Sequence, residues 1–160
     1  MTIEYQLARI TAQSKNADPK QIRGGLATLT ADDIRAAVSM VNRPVAYHAL
    51  MAKYCGSEMS ENALMDIMED ASMRSFMREH PGIRINGDIH RRLVECAMIW
   101  FMSPEQGRAR KDAGNAKHCK VDRKTWVANY KPHFHTITAF LLLAESTGLA
   151  DVKRVMYGKE

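Results

Sequence analysis

Apolar residues recur at three- and four-residue spacing along nearly the whole chain, and no run sustains the two-residue alternation of a half-buried strand. This periodicity predicts an all-α fold: a single-domain bundle of six to eight short helices, with an N-terminal helical arm over residues 1–28 and a helical domain over 29–160. Met1 to Gln13 can form a short helix before a polar break at Asn16 to Pro19. Thr30 is a good N-cap, with Asp32 and Asp33 in the first turn and an apolar stripe of Ile34, Ala37, Val38 and Val41 behind it. Pro44 stops or kinks that helix, and a second run carries Tyr47, Leu50, Met51 and Tyr54 up to Gly56. Ser60 is expected to cap a helix bearing Ala63, Leu64, Ile67, Met68 and Ala71, which runs out near His80-Pro81. After an Asn86-Gly87 turn signal, Asp88 caps a helix with Leu93, Ala97, Trp100 and Phe101 that stops by Ser103-Pro104. Phe134 to Glu145 is a strongly apolar closing helix, ended by Gly148, after which Val152 to Tyr157 can dock back.

At 160 residues the chain is long enough to bury a helical core. Its longest apolar stretches, Cys96 to Met102 and Ile137 to Ala144, fall well short of the ~18 residues of a membrane span. Met1 to Lys15 lacks the layout of a signal peptide, so a cytoplasmic protein with no membrane partner is expected. The cysteines Cys55, Cys96 and Cys119 are odd in number and include no CxxC pair, which argues against a disulfide framework and a four-thiolate zinc site. Met51, Met65, Met68 and Met98 lie on apolar helix faces, where core packing explains them better than a partner groove.

The net charge of +5 is concentrated in one place. Between Arg108 and Lys131 stand Arg108, Arg110, Lys111, Lys117, Lys120, Arg123, Lys124 and Lys131, against two acids, Asp112 and Asp122. That segment is +6, and the rest of the chain is −1. It parses as a helix-turn-helix at about 106–131: a first helix from Gln106 to Ala116, a turn from His118 to Val121, and a second helix from Asp122 to Lys131. Asp122 is the expected N-cap. On a wheel of ~100° per residue, Trp126, Val127 and Tyr130 share the inward side. Lys124, Thr125 and Ala128 fall opposite, flanked by Asn129 and Lys131. A recognition helix needs this division, because a duplex offers phosphates to lysine and base edges to asparagine or threonine. The competing structural explanation is a solvated basic helix in an ordinary bundle.

Two stretches also resemble a family. Leu29 to Val41, followed by Ala49-Leu50-Met51-Ala52-Lys53, and Arg123-Lys124-Thr125-Trp126-Val127-Ala128-Asn129-Tyr130-Lys131-Pro132-His133-Phe134 are similar to the early block and the Thr-Trp…Lys-Pro block of the lambda-type Q late-gene antitermination proteins of bacteriophages. The likeness extends loosely from Leu29 to about Glu145. It implies a regulatory protein, not an enzyme, that works in the bacterial host cytoplasm. Such a protein binds double-stranded DNA at a late promoter, engages paused host RNA polymerase holoenzyme with its sigma factor retained, and makes the enzyme read through terminators. The DNA-binding role then falls on Lys124, Thr125, Ala128, Asn129 and Lys131, with Trp126 as anchor. One departure is clear: the family carries a CxxC…CxxC zinc segment within its helix-turn-helix, and Ser103 to Ala116 is short and has no cysteine. No metal or other cofactor is therefore expected.

Two other functions fit parts of the sequence. A phage or prophage repressor would use the same second helix, as a dimer on a palindrome. A metal protein or enzyme would use His118, Cys119, His133 and His135, a ligand mixture that suits zinc. His133 and His135, two apart on a helix, point about 200° away from each other, which favours structural or solvated histidines.

Overall fold

The computed structural model describes residues 43–82 and 84–157; the arm over 1–28, the Thr30-capped helix and the Leu29 to Val41 block lie outside them. The described residues form an all-α structure, as the periodicity predicts. Helix α1 spans Pro44–Cys55, α2 Glu58–Glu79, α3 Gly87–Met102, α4 Pro104–His118 and α5 Arg123–Thr125. A π turn over Trp126–Tyr130 leads into α6, Lys131–Tyr157. None of the helices among the described residues is long and apolar enough to cross a membrane. The described residues divide into two compact units, one of residues 43–61 with 144–157 and the other within residues 62–143.

In the first unit, Pro44 opens α1 with its ring presetting φ where no N–H is needed, and Gly56 closes it in the left-handed region at φ 64°. Ala46, Ala49, Leu50 and Ala52 make the buried stripe between them. Gly148 does not end a helix but lies inside α6. A Cβ there would stand 2.8 Å from Leu50 Cδ1 and 3.3 Å from Ala46 Cβ, so the missing side chain lets α6 lie close against α1. The buried carboxylate of Glu145 is compensated: the Lys53 ammonium reaches its two oxygens at 2.9 and 3.0 Å, and the Tyr54 hydroxyl donates to it as well. Ser60 is not the cap of α2. Ser57 takes that role, its hydroxyl accepting from the Ser60 N–H at 3.2 Å, while the buried Ser60 side chain meets His48 Nδ1 at 3.0 Å.

In the second unit, α2 buries Leu64, Met68 and Ser72 at four-residue spacing, while Ala71, expected on that face, is exposed. Asn86, not Asp88, caps α3: its side-chain oxygen accepts from the Asp88 and Ile89 N–H groups at 2.8 and 3.4 Å. Asp88 sits instead in the first turn, where a carboxylate faces the positive helix end. Helix α3 buries His90, Leu93, Val94, Cys96, Ala97, Met98 and Phe101. The closing helix expected over Phe134 to Glu145, and the tail expected to dock back, are both parts of the 27-residue α6. Pro132 does not break the helical run that continues from α5, and it lies immediately after the π turn over Trp126–Tyr130, an irregularity that accommodates its absent N–H.

The chain turns sharply from α3 into α4 at Ser103-Pro104, and Gly107 makes that corner possible. A Cβ on Gly107 would stand 2.6 Å from the Trp100 Cα, a backbone atom that cannot swing aside. Helix propensity alone favours alanine over glycine by about 1 kcal/mol. Overpacking costs about 1–3 kcal/mol or more. Gly107→Ala is therefore expected to destabilise the protein by up to about 2 kcal/mol in urea unfolding. A stabilised variant would mean that the corner is open.

Candidate nucleic-acid interface

The basic segment folds into two helices and a turn, with boundaries that differ from the sequence pattern. Helix α4 is not continuous from Gln106 to Ala116: Lys111 adopts φ 52°, ψ −176° and divides it into residues 104–110 and 112–118. This backbone region belongs almost wholly to glycine and costs a lysine about 1–3 kcal/mol. The turn starts one residue later than expected, because His118 is still helical. Lys120 then takes φ 57°. Its N–H bonds to the Lys117 carbonyl at 3.1 Å, and the Val121 N–H reaches back to the Ala116 carbonyl at 3.0 Å. These two bonds form the left-handed closure by which helices commonly stop, here with lysine in the place usually held by glycine. Asp122 then caps the next helix as anticipated, accepting from the Thr125 N–H at 2.9 Å and the Thr125 hydroxyl at 2.6 Å.

From Arg123 the backbone continues as helix into α6, with the π turn between. The Lys131 N–H bonds to the Trp126 carbonyl, five residues back. The wider turn changes the face each residue presents. Trp126 is fully buried, and its ring meets Phe134 with centroids 5.6 Å apart. Val127, expected inside, is instead 45% exposed, beside exposed Ala128 and Asn129, and Tyr130 is half-buried. Asp112 holds this element to α4. One of its oxygens accepts from the Trp126 indole N–H at 3.1 Å and the other from the Lys131 ammonium at 2.9 Å. The Lys131 hydrogen bond, followed by that of Trp126, holds the Asp112 carboxyl below the usual carboxylate range. Lys131 is therefore committed to a partner inside the unit. The sequence offered no local sign of this role for Asp112, which lies far from Trp126 and Lys131 along the chain.

Of the remaining cations, Arg108, Lys111, Lys117, Lys120, Arg123 and Lys124 are exposed and Arg110 is half-buried. None of these seven is ion-paired to an acid among the described residues. Thr125 is half-buried, with its hydroxyl turned to Asp122. A face of α3 clamps the end of α4: Arg92 donates to the His118 carbonyl at 3.4 Å, and Glu95 meets His118 Nε2 at 2.7 Å. Beneath them, Cys96 Sγ lies 3.9 Å from Cys119 Sγ.

His118, Cys119, His133 and His135 do not converge. His118 is held by Glu95 and Cys119 by Cys96, His135 is exposed, and His133 stacks near Phe76 and His90 at 5.0 and 5.4 Å between ring centroids. Burial pushes His133 down to about 4, so its ring is neutral at pH 7. Among the described residues no group of three or more histidine, cysteine or carboxylate side chains is placed to hold a metal ion. No protein-family model matches the chain, and no curated protein or solved structure matches it.

Two outcomes follow from this lock. Trp126→Ala is expected to cost about 3–5 kcal/mol in thermal or denaturant unfolding, the range for removing a buried aromatic; a variant that melts like the parent would place Trp126 outside the core. The pH dependence follows from Asp112. Because its folded-state pKa is depressed, its stabilisation is complete above the unfolded value of about 3.9 and is lost as pH falls through the lower folded value. The melting temperature should therefore drop more steeply as pH falls from about 4 to about 2 for the parent than for Asp112→Asn. Parallel curves would show that Asp112 does not hold the segment.

Proposed function

We propose that this chain binds duplex DNA through the segment from Lys117 to Tyr130 and acts as a phage transcription antitermination factor, with host RNA polymerase holoenzyme as its second partner. The observation that carries the DNA-binding part is the division of one short element into two faces. Trp126 is fully buried and tied to Asp112, while Lys120, Arg123, Lys124, Val127, Ala128 and Asn129 are exposed beside it. The left-handed stop at Lys120 and the Asp122 cap support reading this segment as a helix-turn-helix with its second helix facing out. Lys120, Arg123 and Lys124 suit phosphates. Asn129 carries the amide that pairs with adenine, and Val127 and Ala128 offer apolar contact to a thymine methyl. Antitermination rather than repression rests on the resemblance of the Arg123 to Phe134 block to the Q proteins. The zinc segment of those proteins has no counterpart between Ser103 and Ala116, so contacts it makes to polymerase or DNA are not carried over.

The test has two stages. Duplex binding followed by fluorescence anisotropy should weaken with salt at a log–log slope of about −4 to −6, as several phosphates are neutralised. Lys124→Ala should reduce the slope by about 1 on every sequence, and Asn129→Ala should cost ~1–3 kcal/mol on the preferred site only. A slope near zero removes the DNA-binding reading. In transcription with holoenzyme on a promoter-proximal pause template, the parent should increase read-through at a distal terminator, and both variants should reduce that gain. Promoter blockage with unchanged termination would instead identify a repressor.

A further inference from the structure

We propose that Cys96 and Cys119 form a reversible thiol–disulfide couple, oxidised by a peroxide, that cross-links α3 to the first residue of the Cys119–Asp122 turn. The two sulfurs face each other at 3.9 Å, and both side chains are buried, at 1% and 0% exposure. A disulfide requires an S–S distance of 2.03–2.05 Å, so the sulfurs need to approach by about 1.9 Å. One partner sits at the end of a helix, next to a turn whose following residue, Lys120, is exposed and in a left-handed conformation. Both sulfurs being buried, a peroxide reaches them only when that turn opens.

The surroundings assign the two sulfurs different roles. The Cys96 hydrogen bond, followed by the charges of Arg110 and Arg92, favours the thiolate at Cys119. Hydrogen bonding to Cys119 and burial keep Cys96 protonated. Cys119, at the helix end beside the exposed Lys120, is assigned as the attacking sulfur, and Cys96, inside α3, as the resolving one. The Cys119 thiolate attacks a peroxide oxygen, the O–O bond breaks, and hydroxide leaves, giving a sulfenic acid. Cys96 sulfur then displaces that hydroxyl. The S–S bond forms as the S–O bond breaks, and the departing hydroxide takes the Cys96 proton as water. Overall, two thiols lose two electrons and hydrogen peroxide becomes two waters. The bond would re-seat the turn that carries Lys120 and Asp122. Any effect on DNA affinity rests on the DNA-binding proposal, whereas the sulfur chemistry does not.

The experiment uses the full reduced chain, treated with equimolar hydrogen peroxide, then denatured and alkylated with N-ethylmaleimide. With three cysteines in the sequence, one adduct is expected in place of three. The unalkylated mass should be lower by about 2 Da, restored by dithiothreitol, with a peptide map joining Cys96 to Cys119. Cys96→Ser, treated alike, should accumulate a dimedone-reactive sulfenic acid at Cys119. Three adducts after treatment, a linkage through Cys55 or between two chains, or oxidation passing straight to sulfinic acid would each overturn the proposal. Because the readout is thiol count and mass, it stands or falls separately from DNA binding.

Discussion

The carboxylate of Asp112 receives the Trp126 indole N–H and the Lys131 ammonium on its two oxygens, and the outward face of residues 123–130 depends on that pair of bonds. A buried indole N–H left without an acceptor would cost about 1–3 kcal/mol. The glycine-like backbone at Lys111, immediately before Asp112, costs a similar amount. A strained residue can persist beside a satisfied polar lock because the two effects are of the same order. If the lock is removed, the strain has nothing comparable to offset it.

The same geometry decides what the basic segment shows to solvent. Its two acids are both engaged with the protein: Asp112 turns to Trp126 and Lys131, and Asp122 closes the start of α5. Of its eight cations only Lys131 is paired to an acid among the described residues. The charge offered outward is therefore less mixed than the linear sequence suggests. On the other side of the turn, Arg92, Glu95 and Cys96, at i, i+3 and i+4 on α3, all meet the end of α4. A turn fixed from behind by one helix and capped in front by its own aspartate is a firm mount for side chains that point away.

Much of this was legible in the sequence, and the parts that were not share a cause. Gly56 as the end of one helix, Ser103-Pro104 as the stop of another, the Asp122 cap and the buried Trp126 all follow from local chemistry acting within a few residues. The errors arose where distant residues decided. Gly148 reads as a stop until Leu50 and Ala46 are seen to need its missing side chain. Ser60 reads as a cap until His48 is found beside its hydroxyl. The wheel groups Val127 with Trp126, although adjacent residues of a helix lie about 100° apart, and Val127 falls outside the sector that Trp126 buries. The Lys111 break has no signature in composition, since lysine there is the least suited kind of residue for its φ.

The π turn has a further consequence, for lineage rather than for folding. A π turn amounts to one residue inserted into an α-helix, and here it falls between the Asp122 cap and the buried stretch of α6 that begins at Phe134. Deleting a single residue from Trp126–Tyr130 would restore regular pitch and leave α6 in register with its own core. Everything upstream, Arg123 and Lys124 included, would swing by about 100° around the helix axis. Chains descended with and without that residue could share nearly every other amino acid yet point different side chains outward. An alignment across such relatives would pair residues that no longer occupy the same face.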